Sequence, residues 1–399
     1  MISFVWEPGL PLPAGTGGSE NYTVGHVREL NRRGVAAQVV TVGVGRDDGR
    51  DGFRDIPFLA LEELAEVSRL EGTVVFVSGF PVVPTVAPAY QILHIPPPTR
   101  TVEALAMAAQ TRDRILIATS RFAAQMWARF LDVDEATINV VYPFAEPCFG
   151  LELRPGRPRR SARVLYAGRL SPEKGIYTFL AMMHSALLID QVDADLTFTV
   201  TTAGDDKPQG RIIRGLLDAH PEVTVVEARR SPEAMATLMA DYDVVVMPSN
   251  SQYWHETFGI VSIEAQHAGC RVVASDDGGL PETDCGGVVL VAPDDADALA
   301  RGILAAIDRG PLLERDRRAA SARFTVGQSV DELLAVFVRP QPLTPAAVVE
   351  VLETLVRLPP ASELTRSPRA SAASPAVRRP ASRPENDQLM AEPSAGALP

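Results

Sequence analysis

Short apolar runs alternate with amphipathic segments along most of the chain. The runs are rich in Val and Ile, and the segments between them repeat apolar positions at helical spacing. In the first part of the chain the runs are ISFVW, AAQVVTVG, TVVFVSG, YQILHI and RILIATS. This alternation predicts a parallel β-sheet whose strands are joined by crossover helices.

The alternation is interrupted once and then starts again. Residues 151–163, LELRPGRPRRSAR, are rich in Pro, Gly and Arg and indicate an exposed linker. Beyond the linker the runs are RVLYAG, LTFTVTTAG, VTVVEA, DVVVMPS, RVVASD and GVVLVAP. We predict two similar Rossmann-like α/β domains, at 1–150 and 163–339. The last helix of the second domain can cross back to the first. A ligand in such a fold is expected in the cleft beyond the carboxyl ends of the strands.

The end of the chain has a different composition. Residues 340–358 are predicted to add one amphipathic helix, with Thr344 as N-cap and Pro345 at the first helical position. Residues 359–399 have too few large apolar side chains to offset the entropy of ordering them. We therefore expect a disordered C-terminal tail.

Charge and composition restrict the class of partner. The 399 residues carry a formal charge of −12, which does not favour nucleic acid or an anionic membrane surface. The N-terminus has no basic region of the signal-peptide type, and no apolar run is long enough for a membrane span. Cys148, Cys270 and Cys285 lack metal-ligand spacing. We expect a cytoplasmic protein without integral membrane association.

The first candidate ligand site is the loop EPGLPLPAGTGGSE after the first predicted strand. Gly15, Gly17 and Gly18 allow the backbone to approach a ligand, and the following helix offers unpaired amides to an anion. The dinucleotide fingerprint is incomplete, because Glu20 stands where its third glycine belongs. A glycine-rich turn without a ligand is the alternative.

The second candidate site is the run AGRLSPEKG. Ser171 and Pro172 are predicted to begin a helix, with Arg169 just before it and Lys174 in its first turn. Cations are disfavoured at a helix N-terminus unless an anion lies between them, and a diphosphate is a suitable anion. Two solvated surface cations are the alternative.

The third candidate site is ETFGIVSIE, in which seven residues separate two acids. Gly259 is predicted to begin a helix, which places Glu264 inside it and leaves Glu256 in the preceding loop. The amides of residues 258–261 can bind an anionic group while the two carboxylates accept hydrogen bonds from hydroxyls. A phosphate with several hydroxyls, such as a nucleotide sugar, fits this pattern; a salt-bridged helical Glu is the alternative.

One histidine and three acidic triplets are further candidates for chemistry. His94 ends a predicted strand of the first domain and is expected to face the cleft. The D-x-D triplets that contain Asp132, Asp193 and Asp295 fall at predicted helix ends, where Asp commonly acts as a cap. We therefore predict no metal site.

Together these motifs resemble the family 4 glycosyltransferases, which have the GT-B fold and retain anomeric configuration. The resemblance covers residues 1–339 and is carried by ETFGIVSIE, AGRLSPEKG and SDDGGLPE in this order. It implies that Arg169 and Lys174 hold the diphosphate of a nucleotide sugar, with UDP as the family's usual carrier, and that no cofactor is needed. The loop NSQYWHE is longer than the usual form, and VVYPFAEP replaces a frequent Asn-Gly pair.

The same resemblance assigns the remaining site residues. It implies that Glu264 holds the ribose hydroxyls, that Glu256 lies beside the donor sugar and that His94 lies near that sugar. It further implies that the backbone amides of Phe258, Gly259, Ile260 and Val261 contact the sugar and phosphates, and that Gly17 and Gly18 face the diphosphate and the acceptor.

A narrower likeness concerns the acceptor. The stretches EPGLPLPAGTGGSENYTVGHVRELNRRG and LIATSRF are similar to enzymes that attach a hexose or kanosamine to a 2-deoxystreptamine pseudodisaccharide in aminoglycoside biosynthesis. The expected function is retaining, metal-independent hexosyl transfer from a UDP-sugar to such an acceptor. The alternatives are another acceptor (inositol, lipid or polysaccharide), a nucleotide-sugar epimerase, an NAD-dependent oxidoreductase and a non-catalytic binder.

Overall fold

Two parallel β-sheets of matching strand order form the framework of the protein. The computed structural model describes residues 1–13, 17–151, 161–189 and 195–339. The predicted helix at 340–358, the predicted tail at 359–399, Gly15 and most of the predicted linker lie outside these residues. The predicted domain limits at 150 and 163 stay a prediction.

The first sheet has seven strands: β1 (Ile2–Val5), β2 (Ala37–Val42), β3 (Phe58–Leu61), β4 (Thr73–Phe76), β5 (Ala89–Leu93), β6 (Arg114–Ala118) and β7 (Asn139–Val140). In space they follow the order β3-β2-β1-β4-β5-β6-β7, and neighbouring strands are parallel. We call the described residues up to Leu151 the first half of the protein and those from Ser161 onward the second half. The helices of the first half are α1 (Gly18–Arg32), α2 (Thr101–Thr111), α3 (Arg121–Leu131) and α4 (Cys148–Leu151).

The second sheet has six strands: β8 (Ser161–Tyr166), β9 (Asp195–Thr201), β10 (Val223–Val226), β11 (Val244–Met247), β12 (Arg271–Ser275) and β13 (Val288–Val291). Their spatial order is β10-β9-β8-β11-β12-β13, again with parallel neighbours. The helices that follow β8 are α5 (Ile176–Met182), α6 (Ala186–Ile189), α7 (Pro208–Asp218), α8 (Pro232–Ala240), α9 (Ile260–His267), α10 (Ala296–Arg309), α11 (Glu314–Ser321) and α12 (Val326–Val338).

Both strand orders reverse at one point, between β1 and β4 in the first sheet and between β8 and β11 in the second. Loops leave the carboxyl ends of the strands in opposite directions at such a point, which opens a crevice for a ligand. The central strands are apolar on both faces, as buried parallel strands require. The prediction of two doubly wound sheets is confirmed, and it places the ligand crevices at the loops after β1, β8 and β11.

The last helix of the described chain packs on the first sheet. Val330, Leu333 and Val336 of α12 are buried in the same apolar cluster as Phe4 and Val27. The helix begins with a capping box in which Thr325 and Gln328 satisfy each other's backbone amides. The chain therefore returns to its first half after completing the second. Within the described residues, none of the helices has the length and apolar character needed to cross a membrane.

We expect Leu333→Ala to lower the free energy of unfolding by about 2–5 kcal/mol, because it leaves a cavity in the core of the first half. Urea denaturation would measure the loss. Val338→Ala on the same helix is the matched control, since Val338 is 80% exposed and its change should stay within about 0.5 kcal/mol. Equal losses in the two variants would contradict the packing of α12 as a core element.

Candidate functional site

The loop after β8 carries the two predicted cations, and a buried tyrosine hydrogen-bonds to its backbone. The hydroxyl of Tyr166 lies 3.0 Å from the carbonyl oxygens of both Arg169 and Lys174. Burial raises the pKa of Tyr166, so the hydroxyl remains a donor. Because Tyr166 belongs to a strand that looks purely structural in sequence, no local pattern marks it as a support of the site.

The backbone of this loop differs from the prediction. Lys174 ends a short 3₁₀ turn, Pro172–Lys174, and does not lie in the first turn of an α-helix, since α5 begins at Ile176. Ser171 and Pro172 do hold the predicted N-cap and first helical positions, but of the 3₁₀ turn. Among the described residues the Ser171 hydroxyl has no hydrogen-bond partner, and the Pro172–Lys174 turn closes through backbone bonds instead.

A glycine lets the loop after β8 touch the loop after β11. Gly175 has φ +71°, and a Cβ there would lie 1.6 Å from the carbonyl oxygen of Pro248. The backbone amide of Asn250 donates to the Glu173 carbonyl at 3.0 Å across the same contact. Any larger residue at position 175 would separate the loops and move Lys174 away from its partner on the second loop.

That partner is Glu256. The Lys174 Nζ lies 2.5 and 2.7 Å from the two carboxylate oxygens of Glu256, and both side chains are largely buried. Arg169 is more open: its side chain is 65% exposed, and its guanidinium lies 3.5 Å from a carboxylate oxygen of Glu173. The structure thus brings Lys174 and Glu256 together and leaves the charge of Arg169 accessible from the solvent side.

Helix α9 begins as the sequence predicts. Gly259, at its N-cap, has φ +94°, Ile260 is the first helical residue and Glu264 is the fifth. The first amides of an α-helix have no partner within the helix, so the amides around Val261 are suited to an anion. The chain direction at Gly259 sets where these amides point, because its left-handed conformation turns the loop into the helix.

Glu264 lies almost fully buried on α9, with 6% of its surface exposed. Burial is the main cause that raises its pKa to about 8, and the nearby carboxylate of Glu146 raises it further. Burial also raises the pKa of Glu146. At neutral pH the neutral carboxyl of Glu264 is therefore favoured, and in this form it can both donate and accept hydrogen bonds.

His94 of the first half contacts the segment that precedes α9. Its carbonyl accepts a hydrogen bond from Thr257 Oγ1 at 2.8 Å, and its ring stands edge-on to Tyr22. Its Nε2 is buried without a partner among the described residues. Burial lowers the pKa of His94 to about 3, and the neighbouring His26 lowers it further, so the imidazole is neutral at pH 7.

The glycine-rich loop is partly described. Gly18 begins α1 and has open space around it, whereas a Cβ on Gly17 would lie 2.0 Å from a carboxylate oxygen of Glu20. Burial raises the pKa of Glu20, while the positive charge of Arg169 opposes that rise. Glu20, which marked only a missing fingerprint in sequence, therefore lies near the cation of the second half.

The site combines three chemical features at one crevice. Arg169 and Lys174 supply positive charge, the start of α9 supplies amides, and Glu256 and Glu264 supply carboxyl groups. Cations and amides suit a diphosphate, and carboxyl groups suit sugar hydroxyls. The roles of the individual residues remain predictions, and the geometry is compatible with them for Lys174, Glu256 and the start of α9.

Comparison with known proteins relates the second half to a described family. Residues 161–309 match the model of the family described as glycosyl transferases group 1. A D-inositol 3-phosphate glycosyltransferase of Streptomyces griseus is 32% identical over 248 residues, which make up 53% of this chain and 49% of that protein. The chain thus spans about half the length of the curated relatives it matches.

Solved structures extend the likeness to both halves. A glycosyltransferase from Rickettsia africae has a TM-score of 0.67 at 15% identity, over 84% of this chain and 97% of that chain. Anabaena Alr3699/HepE in complex with UDP and glucose has a TM-score of 0.65 at 16% identity, over 85% and 99% of the two chains. The chain therefore has the GT-B fold of glycosyltransferases, and its residues 161–309 match the group 1 family.

Proposed function

We propose that the protein is a retaining glycosyltransferase that moves a hexosyl group from a nucleotide diphosphate sugar to a hydroxyl. The observation that carries this proposal is the meeting of Lys174 and Glu256 at the switch point of the second sheet, next to the first turn of α9. It is supported by the group 1 family match, which covers all three of these features.

The donor is proposed to be a UDP-sugar. The Anabaena protein that shares the fold is described in complex with UDP and glucose, which supports UDP as carrier. In our proposal Arg169, Lys174 and the amides of Gly259 to Val261 hold the diphosphate, and Glu264 holds the ribose hydroxyls. Glu256 and His94 hold the sugar, the latter through its unpartnered Nε2.

The costly event in such a transfer is the negative charge that develops on the leaving phosphate. Preorganised cations and amides stabilise such charge without reorganising, and they act here without a divalent metal in our proposal. The acceptor hydroxyl attacks the anomeric carbon from the face on which the diphosphate leaves. The bond between that carbon and the phosphate oxygen breaks, and the released phosphate oxygen takes the acceptor proton. Retention follows because both bonds lie on one face of the sugar.

The acceptor is proposed to be an amine-bearing 2-deoxystreptamine pseudodisaccharide. Two carboxylates of the first half support a cationic acceptor: Glu7, which follows β1 and accepts from Ser78 Oγ at 3.2 Å, and Glu20 at the start of α1. An ammonium beside Glu20 would offset the cost that burial imposes on its ionised form. The alternative is an inositol phosphate, which the names of several relatives suggest.

An NAD-dependent oxidoreductase fits the site less well. The dinucleotide fold places its third glycine where α1 packs on the strand, and this chain has Glu20 there. The cationic pair of this chain, Arg169 and Lys174, lies instead in the second half. A nucleotide-sugar epimerase remains an alternative that differs from a transferase in forming product without an acceptor.

We expect UDP to raise the melting temperature of the protein in the presence of EDTA, whereas NAD does not. A nucleotide at about 100 times its dissociation constant adds roughly 2.7 kcal/mol of stability. In Lys174→Ala the UDP shift should shrink, and the transfer rate should fall by about 10² to 10³, the usual loss on removing one donor to developing charge. Arg169→Ala should show a rate loss of the same order.

Lys207→Ala is the control for these variants, since Lys207 is an exposed cation of the same half with a side chain 76% exposed. It should bind UDP and turn over like the wild type. Stabilisation by NAD alone, or normal turnover in both Lys174→Ala and Arg169→Ala, would remove the diphosphate assignment.

The acceptor proposal predicts a preference for a free amine. The wild type should use the pseudodisaccharide better than its N-acetylated form by about tenfold to a hundredfold, since a hydrogen bond to a charged group contributes about 1.5–3 kcal/mol. Glu20→Gln should reduce this preference, while Glu103→Gln on the exposed face of α2 should not. Mass spectrometry of the products measures both rates. Equal use of the two forms, or transfer to inositol phosphate instead, would overturn the amine acceptor.

The raised pKa of Glu264 predicts a pH-dependent stability. Because its pKa is higher in the folded protein than its usual value of 4.5, folding favours the protonated form. The stabilisation is complete below about pH 4.5 and is lost as the pH rises through about 8. Relative to Glu264→Gln, the wild type should therefore lose stability between pH 5 and pH 9, as measured by urea denaturation at each pH. The exposed Glu103→Gln controls for loss of a carboxylate, and a pH-independent difference would contradict the burial of Glu264.

A further inference from the structure

A carboxylate of the second half closes the first turn of a helix in the first half. Glu282 lies in the 3₁₀ turn Leu280–Thr283 that follows β12. Its two carboxylate oxygens accept hydrogen bonds from the backbone amides of Arg121 and Phe122, at 3.0 and 2.7 Å. These are the first two residues of α3, so a residue 160 positions away in sequence satisfies amides that the helix itself leaves unpaired.

The same carboxylate also binds Tyr142, which follows the last strand of the first sheet. The hydroxyl of Tyr142 donates to Glu282 at 2.8 Å, so three donors of the first part of the chain converge on one acidic side chain. A negative charge at a helix N-terminus is favoured by the helix dipole, and its hydrogen bonds are charge-assisted. The three hydrogen bonds to Glu282 therefore require a particular direction, and they form only when the two halves are at the right distance.

Two further hydrogen bonds run in parallel with it. Ser120, the N-cap of α3, donates from Oγ to the Thr257 carbonyl at 2.5 Å and also accepts from the amide of Ala123. Thr257 in turn donates to the His94 carbonyl at 2.8 Å. We refer to Ser120, Tyr142, Thr257 and Glu282 as the interhalf clamp. Thr257 adjoins Glu256, so the clamp ends beside the proposed donor sugar contact.

Two glycines give the clamp its geometry. A Cβ on Gly278 would lie 2.4 Å from the Glu256 carbonyl oxygen, and one on Gly279 would lie 2.3 Å from the Thr257 carbonyl oxygen. The Gly279 amide also donates to the Glu256 carbonyl at 2.7 Å. The motif SDDGGLPE thus packs its glycines on the Glu256–Thr257 backbone and extends its last acid to α3.

The clamp borders a cavity that both polar and apolar groups line, and its Tyr142 ring packs against Phe258 of the second half. Glu282, Tyr142 and Arg121 line a cavity of about 410 Å³, together with Arg323 and Glu332. Because water can reach these groups, the hydrogen bonds of the clamp can be exchanged for hydrogen bonds to solvent when the halves separate.

We propose that Glu282 is a positioning residue for the transfer reaction: it holds α3 and the His94 segment of the first half against the Glu256–Thr257 segment of the second. The inference rests on the proposed function, since it concerns how acceptor half and donor half are aligned. Glu282 touches neither donor nor acceptor in this role. It acts through α3 and Thr257.

The test is Glu282→Ala in the full chain, measured by small-angle X-ray scattering and by steady-state transfer kinetics. We expect a larger radius of gyration than in the wild type and unchanged affinity for UDP, which the second half binds. The kcat for transfer should fall by about 10²-fold, the loss typical of reacting groups displaced by about 1 Å. Glu282→Asp, which keeps the charge but shortens the side chain, should recover part of the kcat.

Asp331→Asn is the matched control. Asp331 on α12 also pairs with a cation on the first half, Arg33 at 2.5 Å, but it lies outside the clamp and is 69% exposed. Its radius of gyration and kcat should equal those of the wild type. If Glu282→Ala does not fold, Tyr142→Phe decides, because it removes one donor and keeps the charge. Its kcat should fall by about tenfold, the lower end of the loss expected for one bond to a charged group.

Wild-type dimensions and wild-type kcat in Glu282→Ala, or in Tyr142→Phe if that variant decides, would overturn the role of the clamp. A loss of UDP affinity equal to the loss of kcat would overturn it too, because Glu282 would then act on the donor site itself. A wild-type protein that neither binds UDP nor transfers sugar would contradict the proposed function instead. Scattering would still show whether Glu282 holds the halves together.

Discussion

The close approach of the loops after β8 and β11 is the constraint on which the rest of the site depends. Gly175 permits that approach, since a side chain there would run into the backbone of Pro248. With the loops in contact, Lys174 reaches Glu256 and the Tyr166 hydroxyl holds the backbone of the first loop. Without that approach Lys174 would not reach Glu256, and no positive charge would be brought toward the start of α9 by this pair.

The fold could be predicted from the sequence because its signals are local. Apolar runs and helical spacing identify strands and helices one at a time, and parallel strands joined by crossover helices leave few topologies. The start of α9 was equally accessible: Gly259 and Glu264 are separated by a fixed number of helical residues, so their arrangement follows from helix geometry.

Other parts of the site depend on contacts between residues far apart in sequence. Ser171 lies at the predicted N-cap position, but the segment forms a 3₁₀ turn whose backbone is held by Tyr166, a residue of the buried strand. Glu282 belongs to the motif SDDGGLPE, yet its partners Arg121 and Phe122 lie in the other half. No periodicity reports a contact of that kind, since it is set by how two finished sheets meet.

Burial of acids adds a second demand on the site. Glu264 and Glu146 approach each other in a region where each has a raised pKa, and burying like charges is unfavourable. A carboxyl that holds its proton at neutral pH avoids most of that cost and gains a donor. The arrangement therefore suits a partner with hydroxyl groups, which can accept from and donate to the same carboxyl, better than a partner that offers only positive charge.

The two halves are joined by contacts of opposite character. On one side α12 buries Val330, Leu333 and Val336 in the core of the first half, a contact that water cannot replace. At the cleft the halves meet through hydrogen bonds of Ser120 and Glu282, each of which can be exchanged for a bond to solvent. The two contacts therefore differ in what separating them costs: opening the α12 contact exposes apolar surface to water, whereas opening the cleft contacts exchanges hydrogen bonds for bonds to solvent.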